Sequence, residues 1–155
     1  MNDLRQFVAW LAKSSELWAP VVRHDSAARV YEQIWDDEHV NAWLICWSED
    51  QDTGFHDHDV SAAAVAVIAG CVREDRLALG RPQPRSREFG AGELFTLPPV
   101  AIHRVLHAGD EPAVTLHAYS PPLRRTGAYH VGPDGELQRE SLPVEQELRP
   151  EPVLL

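Results

Sequence analysis

The spacing of apolar side chains along the chain changes once. Over residues 2–18, Leu4, Phe7, Val8 and Leu11 recur at i, i+3, i+4 and i+7, the period of one helix face. Asn2 or Asp3 can cap that helix, and a break is expected near Ser14-Ser15. Trp10 and Trp18 are expected to help it cover one end of a sheet, and Pro20 ends the region. Residues 21–30 carry no clear period. From about Arg29 the pattern is that of strands: Tyr31 to Trp35, then a continuous apolar run from Ala42 to Trp47, then Ala62 to Ala69 with a bend at Gly70. Residues 80–88, rich in Pro and Arg, read as a loop. Leu94 to Leu97, His103 to His107 and Ala113 to Tyr119 complete the set. Short strands at regular intervals with turn residues between them predict an all-β sandwich or barrel.

Length and charge narrow this picture. A chain of 155 residues is expected to form one domain with a real core. We divide it into a helical cap (1–28), a β-barrel (29–129) and a polar, Pro-rich tail packed outside (130–155). The formal net charge is −10, and thirteen of the fourteen basic side chains are arginine, the other being Lys13. Such acidity argues against nucleic acid and anionic membrane as partners. No stretch has the apolar length of a membrane span, and the N-terminus lacks the basic and apolar regions of a signal peptide. Cys46 and Cys71, each within an apolar run, fit a reducing cytoplasm better than a disulfide framework.

The chemistry is concentrated in Gly54-Phe55-His56-Asp57-His58 and in Pro98-Pro99-Val100-Ala101-Ile102-His103. On a strand, His56 and His58 share a face. His103 from a later strand would complete three nitrogen donors and leave metal positions open to small ligands. An isolated His-x-His is more often a pair of surface histidines. Here the pair lies between a glycine turn and an apolar strand, with a second Gly-Pro-His element downstream, and the metal reading is the stronger. His107 is read as supporting or structural.

These elements resemble the two cupin motifs: Gly54-x-His56-x-His58 running to Gly70, and Gly92-x5-Pro98-x4-His103. Many cupins carry a glutamate after the histidine pair, whereas this chain has Val60-Ser61-Ala62-Ala63-Ala64. Three histidines without an acid resemble the thiol dioxygenases. Cys46-Trp47-Ser48-Glu49, Ile102-His103-Arg104-Val105 and Thr115-Leu116-His117-Ala118-Tyr119-Ser120-Pro121-Pro122 are similar to cysteine dioxygenase over roughly residues 29–129.

The resemblance implies a small β-barrel or sandwich with a short N-terminal helical region, and Fe(II) held by His56, His58 and His103. It implies a small thiol and O2 as co-substrates and a sulfinic acid as product. Thr115, His117 and Tyr119 resemble the family's Ser-His-Tyr relay, with threonine for serine. Ala63 stands where some members carry the cysteine joined to the active-site tyrosine, so Tyr119 is expected to be free. Tyr31 and Gln33 match the family's Tyr-x-Arg substrate element. Glutamine there resembles the branch that oxidises 3-mercaptopropionate, whereas cysteine is the more familiar substrate. Arg29, Arg23, Arg124 or Arg125 could supply the missing guanidinium, and Arg125 is taken with Tyr31 and Gln33 as substrate-binding. A cupin that binds metal without redox turnover is the alternative, and the relay argues against it. A monomer or small homo-oligomer is expected.

Overall fold

The computed structural model describes residues 2–150. Its order is α1 (Asn2–Lys13), two short 3-10 turns (Ser15–Leu17 and Ala19–Val21), then β1 (Val30–Asp36), β2 (Asn41–Trp47) and β3 (His56–Asp57). There follow β4 (Ala62–Ala69), β5 (Cys71–Arg76), β6 (Arg85–Gly90), β7 (Leu94–Leu97) and β8 (His103–Ala108). The last strands are β9 (Ala113–Ser120), β10 (Arg125–Val131) and β11 (Leu137–Pro143). One sheet runs β1-β2-β9-β4-β7 and the other β11-β10-β3-β8-β5-β6, with neighbouring strands antiparallel.

The first sheet is covered on both faces, which explains why β2, β4 and β9 read as continuous apolar runs. Its outer face packs Leu44, Cys46, Ala64, Ala66, Leu116 and Ala118 against Leu4, Val8 and Leu11 of α1. Val8 and Leu11 are fully buried, each worth about 1.5–3 kcal/mol of apolar transfer. Its inner face gives Trp43, Trp47, Ala63, Val65 and Tyr119 to a second core shared with Val72, Phe89 and Val105 of the other sheet. Alternation along β9 therefore turns Leu116 and Ala118 toward α1, and Thr115, His117 and Tyr119 toward the interior.

Two expectations are corrected. Residues 80–88 are not all loop, because Arg85–Gly90 pairs with β5 as an edge strand; its side chains are mostly exposed, so no apolar alternation marks it. The tail is not simply packed outside: β11 extends the second sheet beside β10. The residues after it turn back over the barrel mouth, where Val144, Gln146, Glu147 and Leu148 line the interior cavity. Tyr31 Oη donates to the carbonyl of Glu145 (2.5 Å), and Arg29 Nη2 to that of Leu148 (2.6 Å), tying this segment down. The segment carries no apolar periodicity that would have foretold this.

Candidate metal centre and active site

Gly54 opens the centre. Its φ of +70° is a left-handed conformation that side chains disfavour, and a Cβ there would lie 2.9 Å from Pro150 Cα. The turn carries the chain into β3, where His56 pairs directly across from His103 of β8. His58 follows at the strand's end, and the three imidazoles are all buried, with ring centroids 4.7–5.0 Å apart.

Hydrogen bonding fixes which nitrogens face inward. His56 Nδ1 donates to the Gly54 carbonyl (3.0 Å) and His103 Nδ1 to the Glu74 carboxylate (2.8 Å), so each leaves Nε2 bare. His103 Nε2 is buried with no partner. His56 Nε2 and His58 Nε2 lie 3.2 Å apart. That is the separation of two imidazole nitrogens about 2.1 Å from one ion at roughly 100° to each other. One nitrogen from each ring lies within 4.8 Å of the others. Burial holds His56 neutral down to about 4 and pushes His58 and His103 well below their ordinary value, the form that binds metal. The donor set thus fits a divalent metal, with nitrogen-only ligands suited to iron, zinc, copper or nickel.

Beside the centre, Thr115, His117 and Tyr119 come from one face of β9. Trp47 Nε1 donates to Thr115 Oγ1 (2.8 Å), and that hydroxyl meets His117 Nε2 at 2.7 Å. The Thr115 hydroxyl thus links the Trp47 indole to the His117 imidazole. His117 Nδ1 faces Tyr119 Oη, 3.5 Å away. Burial lowers His117 to about 3 and raises the Tyr119 phenol, so both stay neutral in ordinary buffers. Ala63 stands directly opposite Tyr119 in the β4–β9 register, so its neighbour across the ladder brings no sulfur. Both cysteines are free, and Cys46 lies in the core beside α1. Trp47 was not singled out for this role by sequence. It stands opposite Ala113, two residues from Thr115 on the neighbouring strand, and that diagonal exists only once the register is known.

The cavity of about 70 Å³ has space for several water-sized groups and joins all three histidines to His117, Tyr119, Tyr31 and Arg29. Its apolar walls include Trp43, Ile45, Val105, Leu123 and Val144. Gln33 stands opposite Trp43 in the β1–β2 register, but its side chain is exposed and does not line the cavity. Arg125 is also outside, bonding Ser141 on β11. The guanidinium at the cavity is Arg29, 7% exposed, stacked 5.0 Å from the Trp47 ring, with a buried Nε that has no partner. Burial lowers its pKa against the opposing pull of Glu147. Arg23 pairs with Glu32 and Arg124 with Asp36, both exposed. His107 bonds the Glu111 carbonyl away from the centre. Sequence reasoning also passed over Glu74, which lies twenty-nine residues from the histidine it supports.

A family model described as cysteine dioxygenase type I matches residues 6–131. The chain belongs to that family. Rat cysteine dioxygenase type 1 is 29% identical to it over 99 residues, which cover 57% of this chain and 48% of the rat protein. The chain therefore spans about half the length of the curated relatives it matches. A Klebsiella pneumoniae protein with a double-stranded β-helix domain superposes with a TM-score of 0.58 at 16% identity, covering 66% of this chain and 80% of that one. A cupin superfamily protein from Desulfitobacterium hafniense superposes with a TM-score of 0.55 at 10% identity, covering 67% and 87%. The fold of this family member is accordingly the cupin double-stranded β-helix with a short N-terminal helix.

Proposed function

We propose that the chain is a non-haem iron thiol dioxygenase that converts a small thiol carboxylic acid, first of all L-cysteine, to its sulfinic acid. The observation that carries this reading is one small cavity faced by three neutral imidazoles, the Tyr119 phenol and the Arg29 guanidinium. Family membership supports thiol dioxygenation in general. Fe(II), when bound by His56, His58 and His103, supplies the redox chemistry that joins O2 to sulfur. Three neutral ligands add no negative charge to the centre, which favours a substrate arriving as thiolate. Tyr119, kept protonated by burial, offers its hydroxyl as a hydrogen-bond donor to the reacting atoms of the substrate in the cavity. His117 orients that hydroxyl, and Thr115 with Trp47 holds the His117 ring in place. Arg29, held by Trp47 and two backbone carbonyls, pairs with the substrate carboxylate, with Tyr31 beside it. Ile45, Val105, Leu123 and Val144 exclude water around the sulfur.

We assign the protein to the cytosol on its two free cysteines. Among the described residues no helix is long and apolar enough to cross a membrane.

The test is O2 consumption by iron-loaded protein given cysteine, 3-mercaptopropionate and cysteamine in turn, with the sulfinate identified. Turnover of cysteine agrees with Arg29 as the carboxylate partner. A preference for 3-mercaptopropionate would return Gln33 to the specificity role. No oxygen uptake with any thiol would leave a metal-binding cupin without redox turnover.

A further inference from the structure

The three imidazoles of the metal centre are supported unequally. His56 Nδ1 rests on the Gly54 carbonyl and His103 Nδ1 on the Glu74 carboxylate. His58 Nδ1 is buried without a hydrogen-bond partner among the described residues. His58 also lies one residue past β3, a strand of two residues, so its ring is aimed by the backbone around it. That backbone is fixed from the opposite face of the sheet. Strand alternation turns the Asp57 side chain away from the two imidazoles, and there Arg139 of β11 grips it at both oxygens. Arg139 Nε donates to Oδ2 (2.8 Å) and Nη2 to Oδ1 (2.9 Å). Tyr129 Oη of β10 donates to Oδ2 (2.6 Å) and the Asp59 amide to Oδ1 (2.9 Å). The last bond closes an Asx turn, which suits the left-handed backbone of Asp59 (φ +56°) directly after His58. Arg139 reaches Asp57 by crossing β10 at Gly127, where a Cβ would lie 2.2 Å from its Nε.

We propose that Asp57, Arg139 and Tyr129 form a clamp through which the β10–β11 hairpin positions His58 for the metal. Its role rests on the metal reading of His56, His58 and His103, and on no particular reaction. A planar guanidinium bonded at two points fixes the angle of a carboxylate as well as its distance, which a lysine ammonium does not. Release of Asp57 loosens the turn that carries His58, while His56 and His103 keep their own supports. One of the three nitrogens then drifts from the other two. Arg139 lies beyond residues 6–131, the stretch that the family model matches, so this support reaches the centre from outside that stretch. The three clamp residues are positioning residues, since they act on the metal only through the backbone of a ligand.

The experiment titrates the metal-free protein with Co(II), reading its affinity and the visible absorption of the bound ion, which reports ligand geometry. The urea midpoint of each metal-free variant is measured alongside. Arg139→Gln removes the grip, and Gly127→Ala displaces the guanidinium while leaving every clamp residue in the chain. Gln138→Ala is the control, cutting a contact to His130 within the same hairpin. Arg139→Gln and Gly127→Ala are expected to weaken Co(II) binding about tenfold, the lower end for residues that support metal ligands, and to shift the absorption bands. Arg139→Lys should recover little of either, and Gln138→Ala should match wild type. Should Arg139→Gln fail to fold, Tyr129→Phe takes its place with the same expected direction. Wild-type affinity and spectrum in Arg139→Gln, or an equal loss in Gln138→Ala, overturns the clamp and leaves the metal reading standing. Weaker binding with an unshifted spectrum and a lower urea midpoint also overturns it, since that is lost stability alone. No Co(II) binding by wild type overturns the metal reading and the clamp together.

Discussion

Glu74 is 5% exposed, and its carboxylate accepts from His103 Nδ1 while also meeting Arg76 Nη2 at 3.0 Å. Burial raises its pKa and the Arg76 charge opposes that rise. A carboxylate behind a ligating imidazole fixes the ring's tautomer and raises its basicity. Glu74→Gln is therefore expected to weaken metal binding by about 10–100-fold, measured by competition with a coloured chelator. An unchanged affinity would mean that His103 needs no support from Glu74. Tyr119→Phe removes the hydroxyl and leaves the ring packed at 5.0 Å from His58. Metal content should stay at the wild-type level while thiol oxygenation slows by about 10²–10⁴-fold; equal turnover would remove Tyr119 from the chemistry. At this scale much was readable. The His-x-His spacing and the alternation of Thr115, His117 and Tyr119 depend only on the two-residue period of a strand. Trp47 and Glu74 were hidden, because each meets its partner through a sheet register and not through sequence spacing.

At the scale of elements, the turn before β3 and the segment after β11 support one another. Gly54 has left-handed backbone, and a Cβ would press on the backbone of Arg149 and Pro150. Gly54→Ala is expected to cost about 1–2 kcal/mol for the backbone alone, and the clash should displace the segment that carries Glu147. The readout is the urea midpoint together with the rate of proteolytic cleavage after residue 143; wild-type values for both would mean the segment does not pack on this turn. α1 was legible because Leu4, Val8 and Leu11 repeat with helical period. β6 and β11 were not, since edge strands with exposed side chains bury too little to impose an alternation.

The whole molecule stores a pH dependence in its buried histidines. His56 and His117 titrate near pH 6.5 when the chain is unfolded, but burial holds them neutral in the fold down to about 4 and about 3. As pH falls below 6.5 the unfolded chain binds protons first. Their contribution is complete above that pH, declines below it, and is lost as pH passes the folded values. The urea midpoint of the metal-free protein should therefore drop steadily from pH 7 to 4.5, with a slope of up to about 1.4 kcal/mol per pH unit for each group. Asp57 lies outside this window. Burial opposes its ionisation, but Arg139 and Tyr129 outweigh that and hold it below the ordinary carboxylate range. A midpoint unchanged across the range would contradict a set of buried neutral imidazoles.

The sequence by itself determined the features that follow from local periodicity: a helix then strands, the histidines at 56, 58 and 103 as candidate metal ligands, and Thr115, His117 and Tyr119 on one strand face. These depend on residue types a few positions apart, where chain geometry allows one arrangement. Only the tertiary structure decided that Arg29, and not Gln33 or Arg125, reaches the cavity, and that a polar tail supplies its one carboxylate. Whether an arginine lies on the surface or in a cavity wall depends on what packs over it. For Arg29 that cover comes from residues more than a hundred positions away, and no local pattern encodes such a meeting.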